Sequence, residues 1–271
     1  MAGPVKFDHL AVGVEHWRDG FPRFAGEFGG RWSHGGDADE FAPCQLAYGC
    51  DMRIELISPG ASGGGFMRRF LDRSGPGAHH LTFKVPSLDA TLAQMSERGI
   101  STFGGRSDSP LWREAFLHPK QAGLGTLLQV AQADEAALAA MAGRQSPPPG
   151  FPEVQGEQAA IAWIGLAVES AAAARGLLTE VLRGEQAGGG RGWARLQWGT
   201  GHTLVVRDAA AAPGDPALWP EGRLGVAHVL FGPAGPAGLA GLDPGDLERG
   251  QARCEREPDD PLTGVPVFVA S

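Results

Sequence analysis

The chain has 271 residues, of which 42% are hydrophobic and 20% are charged, and its formal net charge is −8 at pH 7. This composition is typical of a globular protein with one large domain or two ordinary ones, and the acidic balance argues against a nucleic-acid partner. We find neither a bilayer-length apolar run nor a signal-peptide pattern, so we expect no membrane partner and a cytoplasmic location.

The first half alternates strand-like and helix-like segments. Alternating apolar and polar residues predict strands, whereas apolar residues at helical spacing predict helices. The predicted strands are FDHLAVGV, CQLAYG, MRIELIS, AHHLTFKV, EAFLHPK and GTLLQVAQ. Helices are predicted after the first and fourth strands, where Pro22 weakens the first helix and Ser87 caps the second. The order is therefore strand, helix and strands, repeated.

A connecting segment and a second domain follow. An alanine-rich helix is predicted at Asp134–Gly143, and the run SPPPGFP at Ser146–Pro152 is typical of a linker. Aligning HLAVGVE, which begins at His9, with WIGLAVE, which begins at Trp163, indicates an internal repeat at domain scale. We predict a first domain at 1–133, a connecting helix and linker at 134–156, and a second domain at 157–271.

Four polar residues on strand-like runs of the first half form a candidate metal-ligand set: His9, Glu55, His80 and Gln129. Side chains alternate faces along a strand, so the residues directly before and after each candidate belong to the opposite, largely apolar face. By the same rule His79 points away from His80. Two imidazoles with carboxyl or amide oxygens suit one divalent ion, either Zn, Co, Ni, Mn or Fe. Ordinary strand residues, including an ion pair between Arg53 and Glu55, are the competing interpretation.

The internal repeat shows what the second half carries at the same positions. Three of the four positions are apolar there and the fourth is again histidine. The aligned pairs are His9 with Trp163, Glu55 with Val205, His80 with His228, and Gln129 with Phe268. We therefore predict that the second domain is degenerate and has lost any metal site.

The segments DHLAVGV, RIELISP, GAHHLTFKVPSLDATLAQMSERGI and AFLHPKQAGLGTLLQV resemble the vicinal oxygen chelate superfamily of glyoxalases, bleomycin-resistance proteins and dioxygenases. They are most similar to its methylmalonyl-CoA epimerase-like and glyoxalase I-like members. The resemblance implies an α+β fold in which tandem βαβββ modules form two domains with curved, mostly antiparallel sheets. It places the metal ligands at the four residues named above. Where these relatives carry a catalytic glutamate, this chain has Gln129, which cannot take a proton at neutral pH.

Further candidates concern catalysis and substrate binding. The catalytic candidates are Glu55 and Gln129, and the candidate substrate-binding residues are Gln45, Tyr48, Arg53, Lys84 and Lys120. Gln45 lies where related epimerases have an acidic base, and Tyr48 lines the next turn. Lys120 is positioned to meet an anionic substrate, although surface solvation is the more common role of such a residue.

The predicted function is that of a metal-dependent isomerase or lyase of the glyoxalase/epimerase type, which stabilises an enolate or enediolate of a carbonyl substrate. Two alternatives stay open. A non-heme metal dioxygenase would use His9, His80 and Glu55 as two imidazoles and one carboxylate, and a small-molecule (drug) binding protein of the same superfamily would perform no chemistry. The expected partner is a small molecule with adjacent oxygens, and the chain is expected to be a monomer or a homodimer.

Overall fold

Two mixed β-sheets, one from each half of the chain, form the protein. The computed structural model describes residues 3–105, 108–154, 157–199, 201–211, 218–233, 244 and 254–270. The predicted two-domain α+β arrangement is confirmed. The predicted boundaries remain predictions, and their positions 1, 156 and 271 lie outside the described residues.

Eight strands form the first sheet. In chain order they are β1 Lys6–Gly13, β2 Arg31–Gly35, β3 Phe41–Ala47, β4 Arg53–Pro59, β5 Gly77–Lys84, β6 Thr102–Phe103, β7 Trp112–Leu117 and β8 Leu127–Ala133. Their order across the sheet is β2-β3-β4-β1-β5-β8-β7-β6. The pairs β1–β4 and β5–β8 are parallel, and the other neighbours, including β1–β5 at the centre, are antiparallel. Two βαβββ modules thus meet along β1 and β5.

The described residues of the first domain and its connection form four α-helices and a short 3-10 turn, Gln121–Gly123. The α-helices are α1 Trp17–Gly20, which continues as a wider helical turn Phe21–Glu27, α2 Gly65–Ser74, α3 Leu88–Glu97 and α4 Glu135–Ala142. The hydroxyl of Ser87 caps α3 as predicted, and the carboxylate of Asp134 caps α4. Strand β2 and helix α2 were not predicted, although Phe66, Met67, Phe70 and Leu71 of α2 recur at helical spacing. No helix in the described ranges is long and apolar enough to cross a membrane.

The second half repeats this architecture with seven described strands. They are β9 Ala160–Val168, β10 Glu185–Gly190, β11 Trp193–Gln197, β12 Thr203–Asp208, β13 Gly225–Gly232, β14 Cys254–Arg256 and β15 Val267–Ala270. Their order is β10-β11-β12-β9-β13-β15-β14, with helix α5 Ala171–Gly176 and its continuation Leu177–Val181 between β9 and β10. Central β9 corresponds to β1, and β13 corresponds to β5.

The apolar faces of both halves contribute to one continuous hydrophobic core. The ring of Phe28 stacks on Phe231 with centroids 4.0 Å apart. Trp198 of the second half packs edge-on against Phe7 and Phe83 of the first half. Because burial of apolar area is the main driving force of folding, the two domains stabilise each other. The opposite, polar face of the first sheet is therefore the face left for a binding site.

Glycines allow the backbones of the two domains to approach closely. Gly125 has φ +66°, and a Cβ added there would overlap the Cβ of Leu224 and the backbone nitrogen of Gly225. On the other side of this contact, a Cβ at Gly264 would overlap the carbonyl oxygen of Pro76. A side chain at either position would therefore push the domains apart.

We expect Gly125→Ala to lower the free energy of unfolding by about 2–3 kcal/mol, because it combines backbone strain with a clash between the domains. Gly63→Ala is the matched control, since Gly63 has φ +65° and open space around its would-be Cβ. The control should lose only about 1 kcal/mol. Urea unfolding of both variants measures the difference, and equal losses would show that the close approach of the domains contributes nothing.

Candidate metal centre

His9, Glu55 and His80 meet on the polar face of the first sheet. Ala11 on β1 is paired in register with Glu55 on β4 and with His80 on β5, so three neighbouring strands bring these side chains together. One potential ligand atom from each of the three lies within 4.8 Å of the others. The Nε2 atom of His9 is 3.8 Å from Oε2 of Glu55. All three side chains are buried, at 1%, 8% and 4% exposure.

A β-bulge orients His9. The register between β1 and β5 passes from Phe7 directly to His9, so Asp8 is an extra, bulged residue. Its buried carboxylate accepts a 2.8 Å hydrogen bond from Nδ1 of His9. This contact fixes the tautomer of His9 and leaves the lone pair of Nε2 directed at Glu55, which is the arrangement of a metal-binding histidine.

Two cations balance the buried charge of Asp8. Oδ1 of Asp8 lies 3.1 Å from Nζ of Lys84 and 3.2 Å from the guanidinium of Arg53. Burial by itself raises the pKa of Asp8, but the hydrogen bond and charge of His9 and the charges of Lys84 and Arg53 outweigh it and hold the pKa well below its usual range. The alternative ion pair between Arg53 and Glu55 is replaced by one between Arg53 and Asp8. Lys84 and Arg53 therefore hold in place the carboxylate that orients His9.

A second β-bulge affects His79 and His80. The register passes from Ala11–His80 to Val12–Ala78 and leaves His79 unpaired in the ladder. The prediction that His79 points to the opposite face was wrong, because the bulge interrupts the alternation. The Nδ1 atom of His79 is 2.7 Å from Nδ1 of His80, and its ring contacts the rings of α2. With Nδ1 so engaged, His80 would bind an ion through Nε2.

The electrostatics around His80 favour a neutral ring. Burial lowers the pKa of His80 well below its usual value, and the neighbouring His79 and His9 lower it further, while a hydrogen bond with Gln129 opposes them. Burial also lowers the pKa of His79 to about 4. A neutral imidazole has the free lone pair that metal binding requires.

Gln129 lies beside this cluster with its amide firmly held. Its Oε1 atom accepts a 2.6 Å hydrogen bond from the hydroxyl of Thr82, and its Nε2 donates a 2.6 Å hydrogen bond to Glu114. The indole of Trp112 donates to the same oxygen of Glu114 at 2.5 Å. Because Oε1 has a second lone pair, Gln129 retains the capacity to act as a ligand.

Gln45 and His34 complete the polar face on the opposite side of Glu55. Nε2 of Gln45 donates a 2.8 Å hydrogen bond to Oε2 of Glu55. His34 pairs in register with Gln45, and burial lowers its pKa although Glu55 acts in the other direction. Gln45 therefore contacts the proposed ligand Glu55, consistent with a place at the site.

The residues present fit a divalent ion. Nε2 of His9 and Oε1 of Gln45 are buried polar atoms without a hydrogen-bond partner, and such groups are costly to leave unsatisfied. An ion bound by His9, Glu55 and His80 would satisfy the first of these atoms directly. Two imidazoles and a carboxylate suit Zn, Co, Ni, Mn and Fe.

Two candidate substrate-binding residues lie elsewhere. The hydroxyl of Tyr48 donates to the carbonyl of Phe24, and its ring packs against Phe231 in the core between the domains. The prediction for Tyr48 was wrong, because the turn directs this ring into the apolar layer. Lys120 lies exposed in the turn between β7 and β8, where its backbone N–H donates to Nδ1 of His118.

The corresponding region of the second half is filled by apolar side chains. Trp163, Val205 and Phe268 belong to one buried cluster that also contains Leu218. The indole of Trp163 donates to Nε2 of His228, whose Nδ1 is 2.9 Å from the carbonyl of Leu218. Both nitrogens of this histidine are therefore engaged by other groups of the second half.

The second half nevertheless retains both β-bulges. Between β9 and β13 the register omits Ala162, at the position of Asp8, and Ala227, at the position of His79. The register of Val205 against Gly165 likewise repeats that of Glu55 against Ala11. The bulges are thus a property of the repeated fold.

Helices cover both ends of the polar face of the first sheet. Met67 of α2 packs against Ala11 and Ile57 at one end. At the other end Glu135 of α4 is 3.0 Å from Nζ of Lys84. Between them, the ring of Phe116 lies 6.1 Å from that of His80.

Sequence reasoning missed three residues of this site: Asp8, His34 and Glu114. Strict alternation assigned Asp8 to the apolar face, and a bulge is not visible in a single sequence. Glu114 lies two residues before Phe116 and therefore on the same face of β7. The alternation along this strand was a signal from which Glu114 could have been found. His34 lies on a strand that was not predicted.

Known proteins are similar to this chain in sequence or in fold. Residues 8–116 match the family model described as the glyoxalase/bleomycin resistance protein/dioxygenase superfamily. A hypothetical protein from Staphylococcus aureus is 11% identical, with 98% of each chain covered and a TM-score of 0.59. Methylmalonyl-CoA epimerase from Mycobacterium tuberculosis is 25% identical over 49% of this chain and 91% of its own, with a TM-score of 0.44. A hypothetical protein from Bacillus halodurans is 22% identical over 54% of this chain and all of its own, with a TM-score of 0.44. No curated protein matches the sequence.

Proposed function

Since residues 8–116 match the family model of the glyoxalase/bleomycin resistance protein/dioxygenase superfamily, we propose that the chain is a metal-dependent isomerase or lyase acting on a small carbonyl compound with adjacent oxygens. The observation that carries the proposal is the buried Nε2 of His9. It has no hydrogen-bond partner and lies 3.8 Å from the carboxylate of Glu55, in a cluster with His80.

The ligand set in this proposal is His9, Glu55 and His80, with the amide oxygen of Gln129 as the fourth ligand. A divalent ion held there would act as a Lewis acid that stabilises the negative charge of an enolate or enediolate. Asp8 holds His9 in the ligating tautomer, and Gln45 orients the carboxylate of Glu55. These contacts preorganise the site before substrate arrives.

Proton transfer in this site is assigned to carboxylates. Gln129 and Gln45 are amides, which orient groups but do not accept a proton at neutral pH. Glu55 is the carboxylate in the cluster, so it is the candidate that accepts the carbon-bound proton. The amide of Gln129, next to His80, contributes a dipole and a ligand oxygen.

The test is solvent exchange of a carbon-bound proton. The protein is loaded with Co²⁺ and incubated in D₂O with a hemithioacetal of methylglyoxal, a methylmalonyl thioester and a 2-hydroxy ketone, and proton NMR follows the loss of each C–H signal. We expect exchange with at least one compound, a fall of about 100-fold or more in Glu55→Gln, and none after removal of the metal. Metal binding without exchange of any compound would instead support a small-molecule binding protein.

A dioxygenase is the second candidate, because the cluster consists of two imidazoles and one carboxylate, a set that also suits Fe²⁺ and O₂. Oxygen uptake by the Fe²⁺-loaded protein with a panel of catechols separates the two functions. Uptake without proton exchange would replace the isomerase proposal with this one.

A further inference from the structure

The side-chain amide of Gln129 has two possible orientations, and its surroundings determine which one forms. With Nε2 towards Glu114, the amide donates to a carboxylate and its Oε1 is next to Thr82. With the amide reversed, its oxygen would lie 2.6 Å from Oε2 of Glu114, and two acceptors would face each other. The same oxygen already accepts from the indole of Trp112, so the first orientation, which offers this acceptor a donor, is the favoured one.

Glu114 is itself held in place. The indole Nε1 of Trp112 donates to the same Oε2 atom that accepts from Gln129. The ring of Trp112 lies under Nζ of Lys84, 5.5 Å from its centroid, and that lysine is bound to Asp8. Glu114 is thus connected, through Trp112 and Lys84, to Asp8, which holds His9 on the other side of the cluster.

We propose that Glu114 is a positioning residue that directs the amide oxygen of Gln129, and not its NH₂ group, at the metal centre. The inference rests on the proposed metal site and deepens it. An NH₂ group pointing at a cation is repelled and has no lone pair to offer, whereas the amide oxygen can ligate it. Glu114 therefore decides whether the ion has four protein ligands or three.

The test uses calorimetric titration of the full chain with Zn²⁺ and the visible absorption of bound Co²⁺. We expect Glu114→Gln to weaken Zn²⁺ binding by about 10-fold or more, because outer partners of ligands typically contribute 10–100-fold. The Co²⁺ spectrum should change as well, since loss of an oxygen ligand alters the coordination. Asp89→Asn is the matched control, because it removes a carboxylate of the same domain that binds Arg113 at the surface.

A double-mutant cycle separates positioning from a general effect of charge. If Glu114 acts through the amide, Glu114→Gln should have no further effect on Zn²⁺ affinity in a Gln129→Ala background. If the losses of the two single variants simply add, Glu114 acts by long-range charge and the inference is overturned. Equal Zn²⁺ affinity of wild type and Glu114→Gln would also overturn it while leaving the proposed metal site intact.

A measurement on the unaltered protein covers the case in which a variant fails to fold. Addition of Zn²⁺ should shift the ¹³Cδ resonance of Gln129 while its side-chain NH₂ protons stay hydrogen-bonded and slow to exchange. An unchanged ¹³Cδ resonance in the presence of bound Zn²⁺ contradicts the inference. If the wild-type protein binds no Zn²⁺ at all, the proposed function fails and the inference fails with it.

Discussion

Replacing His80 or His9 by alanine is expected to weaken binding of Zn²⁺ or Co²⁺ by more than about 100-fold, which exceeds the typical effect of losing an outer partner. Each imidazole supplies a nitrogen that no other group of the cluster replaces. Both rings are almost fully buried, so water has little access to substitute for the missing ligand. This is the largest effect that we expect on metal binding.

Thermal stability provides a second measurement of the same loss. An ion that binds only the folded protein stabilises it by about 2.7 kcal/mol when its concentration is 100 times the dissociation constant. Wild type should therefore show a higher melting temperature with Zn²⁺ than with chelator, and His80→Ala should show almost no difference. His118→Ala, at an exposed histidine, is the control and should behave as wild type. A normal response of His80→Ala would refute the assigned ligand set.

Asp8→Asn is expected to reduce both metal affinity and stability. Metal affinity should fall by about 10–100-fold, because the amide no longer fixes the tautomer of His9 by a charged hydrogen bond. The free energy of unfolding should fall by about 3 kcal/mol, because Lys84 and Arg53 lose a fully buried partner.

The stability effect of Asp8 also has a defined pH dependence. The folded-state pKa of Asp8 is held below its unfolded value, so its contribution is complete above the unfolded value of about 4. As the pH falls further, through the folded pKa, the contribution is lost. Denaturant unfolding of wild type and Asp8→Asn should therefore differ most near neutrality and converge in acid.

Asp51→Asn is the matched control for this prediction. Asp51 also contacts Arg53, at 3.5 Å, but its side chain is 63% exposed, so solvent screens the interaction. The control should leave metal affinity unchanged and stability within about 0.5 kcal/mol of wild type. If Asp8→Asn were equally mild, the buried ionic network would have no part in holding His9.

The sequence allowed the faces of the central strands to be predicted, because a two-residue period survives wherever pairing is regular. Leu10 and Val12 enter the core and Ala11 lies on the polar face, as expected. The internal repeat also gave the correct residue pairs between the halves. The registers of Val205 and His228 in the second sheet repeat those of Glu55 and His80.

What could not be predicted depends on irregular backbone. Asp8 and His79 lie at bulges, where one residue leaves the ladder and the alternation rule gives the wrong face. Tyr48 follows a strand and enters the core through the turn that ends it. The face on which such a residue lies depends on how its strand pairs with the neighbouring strand. The sequence around the residue does not show that pairing.

The two bulges that survive in the second half have a consequence for protein engineering. The side chains differ between the halves while the registers are kept, so Trp163, Val205, His228 and Phe268 occupy the sheet positions of His9, Glu55, His80 and Gln129. A designer could install a second centre there by exchanging side chains alone, without remodelling a single strand. The difficulty would be to replace large apolar side chains of a packed cluster by smaller or ligating ones. The two halves of one chain could then each hold a different metal.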